Sequence, residues 1–306
     1  MKLTIVTPSY NQGKYIKRTI DSVLSQDIDD MEYIIVDGGS TDDTIDIIKS
    51  YGTQIVWKSE KDKGQTDAVN KGIRQATGDV IGWLNSDDIY FPHALKKVMQ
   101  VFNDNPNVNV VYGNAQHIAE DDSYIEDYYT EPYNYERLKS ICYICQPSVF
   151  FRKSVVDKYG YLDDTLNYCM DYEYWLRIGK GEEFYYLEEL LAGSRLYNDN
   201  KTLGCRRQVH EEMLTMQEKL FKKADFKWIY NLAHVIVDEM GIPREKDGKT
   251  NPEFARMLAK VTRKEFIKHY HYIPLRALKQ INEWRRIGRG LSLIHISEPT
   301  RPEPIS

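Results

Sequence analysis

The N-terminal half of the chain alternates between two hydrophobic periods, and this alternation most constrains what it can fold into. Short apolar runs at residues 3–7, 33–36, 55–57, 80–84 and 108–112 read as strands. Between them, Ile16, Ile20, Val23 and Leu24, then Ala68, Ile73 and Ala76, then Leu95, Val98, Met99 and Phe102 recur at helical spacing. Ser40, Thr41 or Asp42 offers an N-cap for one further helix. Parallel strands need long crossover connections, and a helix is the usual one. The expected class is therefore α/β, a Rossmann-like, mostly parallel sheet flanked by helices. Beyond Gly113 the alternation gives way to a hairpin, a short helix at 135–140 and strands around 148–151 and 184–187, read as a second half of the same sheet. From about Cys205 the pattern is helical, with a break at Gly241-Ile242-Pro243 and a polar loop at 245–252.

A chain of 306 residues accommodates one large domain or two modest ones. The expected division is an α/β unit at 1–204 and a C-terminal helical extension at 205–290. Residues 291–301 spell LSLIHISEPTR, which matches one reading frame of a transposase adapter used to build sequencing libraries. Residues 291–306 are therefore set aside as an adapter artefact, and the natural frame is expected to be cut near Gly290. No signal-peptide pattern precedes the first strand, and no stretch reaches the roughly 18 apolar residues of a membrane span. The expectation is a cytoplasmic protein, or one held peripherally at the inner face of the cytoplasmic membrane. A net charge of −5 argues against a general nucleic-acid binder. Cys142, Cys145, Cys169 and Cys205 read as reduced thiols. Cys142 and Cys145 form a C-x-x-C, but they lie in an apolar stretch with no second pair at zinc spacing, which favours buried small residues.

The chemistry concentrates in Asn85-Ser86-Asp87-Asp88, directly after the apolar run 80–84. Carboxylates emerging at the C-terminal edge of a parallel strand lie where open α/β sheets hold ligands. Two adjacent acids with amide and hydroxyl oxygens nearby suit Mg²⁺ or Mn²⁺, which share their shell with water and substrate phosphates. The competing reading is an ordinary acidic turn. After the first strand, Pro8-Ser9-Tyr10-Asn11-Gln12-Gly13 has too few glycines for a dinucleotide fingerprint. The second strand ends in Asp37-Gly38-Gly39-Ser40-Thr41-Asp42-Asp43, and an Asp there can accept hydrogen bonds from a ribose or a base N–H. A turn with a helix cap accounts for Ser40 to Asp43 better than for Asp37.

In this order, these segments resemble the family 2 glycosyltransferases, which have the GT-A fold. Further matching segments are Asp67-Ala68-Val69-Asn70-Lys71-Gly72-Ile73, Ala76-Thr77-Gly78-Asp79 and Met170-Asp171-Tyr172-Glu173-Tyr174-Trp175-Leu176-Arg177. The resemblance covers about residues 1 to 200 and looks closest to members that build bacterial surface polysaccharides.

The resemblance implies inverting, metal-dependent transfer of a hexosyl or N-acetylhexosaminyl group from a nucleoside diphosphate sugar, expected to be a UDP-sugar, to a hydroxyl of a glycan or lipid-linked acceptor. It places a divalent cation, Mn²⁺ or Mg²⁺, at Asp87 and Asp88, where it would neutralise charge on the leaving diphosphate. Asp37 would recognise the nucleoside, with Pro8, Tyr10 and Trp57 as apolar walls, and Lys63, Asp67, Asn70, Asn85 and Asp87 would contact the nucleotide or donor sugar. Asp67 equally suits a helix cap. An acceptor hydroxyl must lose its proton, which calls for a carboxylate base. In the family an acidic pair opens a helix; here it is Met170-Asp171, so Asp171 is the first candidate. Glu173 is the second, pointing about 200° away on a helix. Trp175 reads as buried or as a border of the acceptor site. Asn85 stands where many relatives carry Asp, and Tyr197 where many carry a His ligand; His210 is the nearest alternative ligand.

Residues 256–290 hold ten Lys or Arg against two acids, interleaved with Phe266, Tyr270, Tyr272, Ile273, Leu275, Leu278, Ile281 and Trp284. That composition suits a helix lying on an anionic leaflet, or a packed helical cap with a solvated basic face. Two rival functions remain. A sugar-1-phosphate nucleotidyltransferase would need a Gly-rich, basic loop where Ser9 to Gly13 stands. A non-catalytic nucleotide-sugar-binding homologue would fit the departures at Asn85 and Met170.

Overall fold

The computed structural model describes residues 1–26, 28–197 and 204–290. The chain divides into two compact units, Met1–Asn200 and a second beginning at Lys201. The first unit runs β1 (Leu3–Ser9), α1 (Ile16–Leu24), β2 (Met31–Asp37), α2 (Thr44–Ser50), β3 (Val56–Ser59), α3 (Gln65–Gln75) and β4 (Val80–Trp83). It continues with β5 (Ile89–Tyr90), α4 (Ala94–Asp104), β6 (Val110–Ile118), β7 (Tyr124–Asp127), α5 (Tyr135–Leu138), β8 (Val149–Arg152), α6 (Lys153–Tyr159), α7 (Met170–Ile178) and β9 (Phe184–Arg195).

Among the described residues nine strands form one sheet in the order β3-β2-β1-β4-β8-β6-β9-β5, with β7 paired to β6. The parallel sheet expected from the alternation is the block β3-β2-β1-β4. β8 runs antiparallel to both β4 and β6. β7 reverses direction at its turn from β6, and β8 keeps that reversed sense, so both run antiparallel to β6. β6 and β9 then pair in parallel.

Within the parallel block β1, β2 and β4 are buried on both faces, which is why they read as continuous apolar runs, whereas the edge strand β3 is largely exposed. Tyr33 and Ile35 point into a core with Ile16, Ile20 and Val23 of α1 and Leu95, Val98 and Phe102 of α4. Their neighbours Ile34 and Val36 point to the other face and meet Ala68 of α3. Helix α3 presses closely on β1, since a Cβ at Gly72 would lie 2.3 Å from Val6 Cγ1. The register sets Ser9 beside Asp37 and Asp37 beside Ser59, and Val6 beside Trp83. The loops after β1, β2, β3 and β4 therefore leave from one edge of the sheet.

The second unit contains α8 (Arg206–Phe221), α9 (Phe226–Glu239), α10 (Pro252–Tyr270) and α11 (Leu275–Ile287). The stretch expected as a loop at 245–252 holds a small hairpin, Glu245–Lys246 against Lys249–Thr250. Asp247 and Gly248 both have positive φ, 53° and 70°, the geometry of a tight hairpin turn with an Asp-Gly pair. Phe266, Tyr270, Ile281 and Trp284 are core residues of this unit, whereas Tyr272 and Leu275 are exposed. Most of the aromatic residues of the basic segment therefore face inward. The adapter-like residues 291–306 lie outside the described residues, as do residues 198–203 just before the expected boundary at 204/205.

Candidate functional site

The loops after β1 and β2 are laced together by the residues of their turns. Asn11, held at φ 51°, accepts the Thr41 N–H on Oδ1 at 2.8 Å and donates its own N–H to Ser40 Oγ at 2.7 Å. Gln12 N–H donates to Thr44 Oγ1 at 2.8 Å and Gly13 N–H to Asp42 Oδ2 at 2.9 Å. Asp42 Oδ1 also accepts the first amide of α2 at 3.1 Å, while the N-cap residue is Asp43, one beyond the residues expected. Asp37, fully buried at the end of β2, accepts on Oδ2 from Gly39 N, Ser40 N and Ser59 Oγ at 2.9, 2.9 and 2.7 Å. Its Oδ1 accepts from Ser40 Oγ at 2.5 Å. The turn thus explains Asp37 as fully as it explains Ser40. Pro8 is buried and Tyr10 is 60% exposed at the same sheet edge. Trp57 packs on the main core.

The turn after β4 is held from three sides. Thr19 of α1 donates its hydroxyl to the carbonyls of Ser86 and Asp88, at 2.9 and 2.8 Å. Arg195, at the end of β9 and buried, donates Nε to the Asp87 carbonyl at 2.7 Å and Nη1 to the Ala119 carbonyl at 2.6 Å. Its Nη2 pairs with Asp122, and its guanidinium lies over the Tyr15 ring. Asp88 is buried; its Oδ1 accepts the Arg195 N–H at 2.9 Å and its Oδ2 the Asn85 amide at 3.2 Å. Burial, and next the charge of Asp87, push the Asp88 carboxyl well above the usual carboxylate range. Asp87 is partly exposed. Tyr197 donates its hydroxyl to Asp87 Oδ2 at 2.8 Å, and burial followed by that charge raises its phenol. Tyr197 therefore holds the Asp87 carboxylate in place.

No group of three His, Cys, Asp or Glu side chains among the described residues is placed to hold a metal. One half-exposed carboxylate at a strand edge nevertheless fits Mg²⁺ or Mn²⁺, which bind through one or two carboxylates with water and phosphate completing the shell. Asp87 meets that description; Asp88, with both oxygens engaged in the interior, supports the turn. His210 lies in the helical unit, its Nδ1 2.7 Å from the Arg206 carbonyl one turn back. Burial lowers its basicity, as for a packing residue.

Asp171 and Glu173 both lie in the first turn of α7 and are both buried. Glu173 forms a two-pronged pair with Arg177, Nε to Oε1 at 2.9 Å and Nη2 to Oε2 at 2.8 Å. Arg177 also donates Nη2 to the Tyr161 carbonyl at 2.9 Å, so Glu173 anchors the segment leading into its own helix. Asp171 lies on the other side. Burial pushes the Cys145 thiol up, and the charges of Asp88, Cys142 and Asp171 add to it. Trp175 is core, edge-on to Phe151 and Phe184. The four cysteines are free thiols, with Cys142 and Cys145 buried.

On α3, Asp67 lies in the first turn, where it accepts the N–H of Lys63, before the helix, at 3.1 Å and pairs with Lys71 at 3.1 Å; the N-cap residue is Gly64, and Lys63 itself is exposed. Asn70 is buried and uses both ends of its amide on the backbone of Leu162, at 3.0 and 3.1 Å. Thr66 donates to the Leu166 carbonyl at 3.0 Å. These two side chains and Arg177 fasten the segment before Asp171. Sequence patterns alone did not point to Arg195, Gln65 or Gln146, the last two bonded to Asn85. For Gln146 and Arg195 the one available signal was a polar side chain in apolar or strand-like surroundings, and Gln65, in a polar stretch, had none.

Compared with known proteins, residues 4–160 match the family described as glycosyl transferase family 2. An uncharacterised glycosyltransferase of Rickettsia typhi is 26% identical over 262 residues, 80% of each chain. Chondroitin synthase of Escherichia coli is 29% identical over 215 residues, 68% of this chain and 31% of that protein. TarS 1-349 of S. aureus in complex with UDP-GlcNAc shares the fold with TM-score 0.63 at 16% identity, over 95% of this chain and 91% of that one. The mannosyltransferase PcManGT of Pyrobaculum calidifontis in complex with GDP-Man and Mn²⁺ follows at TM-score 0.52 and 15% identity, over 95% and 84%. The sheet flanked by helices is that of the GT-A fold, and the chain belongs to glycosyl transferase family 2.

Proposed function

We propose that this glycosyltransferase moves a sugar from a UDP-sugar to an acceptor hydroxyl, with inversion, in the assembly of a bacterial surface polysaccharide. The observation that carries the proposal is the placement of the turns after β1, β2 and β4, with Asp37 and Asp87, at one edge of the parallel block, where open α/β sheets hold ligands. A nucleotide-sugar enzyme needs a carboxylate for the leaving diphosphate and another for the acceptor proton, and the β4 turn and α7 would supply one each.

Asp37 would read the nucleoside. Its carboxylate is held at the end of β2 by donors from Gly39, Ser40 and Ser59. Pro8 and Tyr10 would flank the base, with Lys63 exposed nearby in sequence to Asp67. Asp87 would hold Mn²⁺ or Mg²⁺, which when bound supplies positive charge to the leaving diphosphate. Asp171 would take the proton of the acceptor hydroxyl as its oxygen bonds the anomeric carbon, while the bond from that carbon to the diphosphate oxygen breaks on the opposite face. Glu173 and Asn70 act by position, through Arg177 and Leu162.

TarS in complex with UDP-GlcNAc supports UDP as the nucleotide, and a chondroitin synthase among the relatives supports a polysaccharide product. PcManGT with GDP-Man and Mn²⁺ supports a metal and brings GDP-sugars into the test. Contact with an anionic membrane surface is proposed for the corner between α10 and α11, where Ile267, Tyr272 and Leu275 are exposed among Lys264, Lys268 and Arg276.

The test is transfer or hydrolysis from UDP-, GDP- and dTDP-sugars with Mn²⁺ or Mg²⁺, with lipid-linked acceptor mixtures. Metal-dependent turnover of a UDP-sugar, lost in Asp87→Ala and Asp171→Asn, is expected. Donor binding without turnover would identify a non-catalytic homologue, and binding of no donor would end the proposal.

A further inference from the structure

The side chain of Asn85 makes all four hydrogen bonds an amide can make, each to a protein group. Its Oδ1 accepts from Trp83 Nε1 at 2.9 Å and from Gln65 Nε2 at 2.8 Å. Its Nδ2 donates to Asp88 Oδ2 at 3.2 Å and to Gln146 Oε1 at 3.0 Å. Gln146, buried, donates Nε2 to the Trp83 carbonyl at 2.5 Å and so closes a ring. The polarity of this ring is set by one group that cannot be reversed. An indole N–H is a donor only, so the atom of Asn85 facing Trp83 must be its oxygen and the opposite end must be the NH₂. That NH₂ meets Gln146 Oε1, which leaves Gln146 Nε2 for the carbonyl of Trp83.

We propose that Asn85 and Gln146 are positioning residues, an amide pair that the site requires as amides, and that Asn85 is not a ligand position that has lost its charge. An Asp at position 85 keeps the two bonds it accepts and loses the two it donates. Its second oxygen would then face Asp88 Oδ2 and Gln146 Oε1, and Gln146 Oε1 would be left in the interior without the donor that the amide supplies. Asp88 is held by Asn85 on one oxygen and by the Arg195 N–H on the other, and Asp87 precedes it in the same turn. Disturbing the amide pair therefore moves the carboxylate that faces the ligand. The inference rests on the donor-site assignment above only for its effect on binding and turnover; the requirement for amides is independent of it.

The experiment compares the full chain with Asn85→Asp, Gln146→Glu and the polarity swap Asn85→Asp/Asp88→Asn. Thermal midpoint, Mn²⁺ affinity by electron paramagnetic resonance in the presence of UDP, and kcat and KM for a UDP-sugar are measured. Asn85→Asp and Gln146→Glu are expected to lower the midpoint and to weaken Mn²⁺ binding about tenfold or more, the size of effect seen when groups that orient a ligand are removed. In the swap, the amide introduced at position 88 donates to the carboxylate introduced at position 85, and its oxygen still accepts the Arg195 N–H. The midpoint of the swap is therefore expected to recover above that of Asn85→Asp. An Asn85→Asp protein as stable as the parent, or one that binds Mn²⁺ more tightly, would overturn the proposal, as would a swap no more stable than the single variant. If the parent binds no donor, the donor-site assignment falls while the thermal cycle still decides whether the amides are required.

Discussion

At the scale of the residue, the site separates acids that look equivalent in the chain. Asp87 and Asp88 are adjacent, yet one is partly exposed and held by a phenol, and the other is buried with both oxygens engaged. Asp87→Ala is expected to abolish detectable Mn²⁺ binding and turnover while leaving the melting temperature nearly unchanged, as read by titration and calorimetry. Asp88→Ala removes the acceptor for two donors in the interior and is expected to lower the melting temperature as well. Asp171 and Glu173 part in the same way, because Arg177 claims Glu173. Asp171→Asn is expected to lower kcat about 10²- to 10⁴-fold, the usual range for a general base, with donor affinity retained; Glu173→Gln should lower stability more than kcat. Equal loss of donor affinity and kcat in Asp171→Asn would exclude the base role.

At the scale of the element, α7 and the helices of the second unit carry the testable energetics. Trp175 is fully buried against Phe151, Tyr174 and Phe184, so Trp175→Ala is expected to cost about 3–5 kcal/mol in chemical denaturation, as for large aromatic truncations in cores. In the second unit, His234 lies against Phe254 and Trp284. Burial first, and then the Arg244 charge, push its imidazole down from 6.5 to about 4, with Asp238 opposing. Below 6.5 the unfolded chain takes up a proton that the folded chain refuses until about pH 4. Its contribution to stability therefore falls as the pH drops through that window. Denaturation midpoints of the parent are expected to decline from pH 7 to pH 4 more steeply than those of His234→Phe, and parallel curves would exclude the effect.

At the scale of the whole molecule, charge is divided unequally: a net −5 overall, with ten basic residues against two acids over 256–290. Most of the aromatic residues of that segment are packed inside the helical unit, so the membrane contact proposed above rests on the exposed corner alone. Leu275→Glu with Tyr272→Ser is expected to reduce flotation with vesicles containing phosphatidylserine, and unchanged flotation would exclude that corner. No helix among the described residues is long and apolar enough to cross a membrane.

What the sequence by itself determined is the parallel block and its edge. The strand and helix periods are local properties of the chain, so β1 to β4 and their helices were legible, as were the acidic motifs that leave the sheet edge. Strand direction beyond β6 was not, because the strands β8 pairs with, β4 and β6, are remote from it in sequence. The candidate site divides along the same line. Asp37, Asp87 and Asp88 stand out by residue type and place after their strands, and Asp171 as a candidate through the resemblance to the family. Tertiary structure alone decided that Asp88 is interior, that Glu173 belongs to Arg177, that Asn70 serves Leu162, and that Asn85 is a saturated amide between Trp83, Gln65, Gln146 and Asp88. The reason is physical: a side chain's chemistry depends on the donors and acceptors around it, and many of those partners come from segments remote in the chain that only folding brings together.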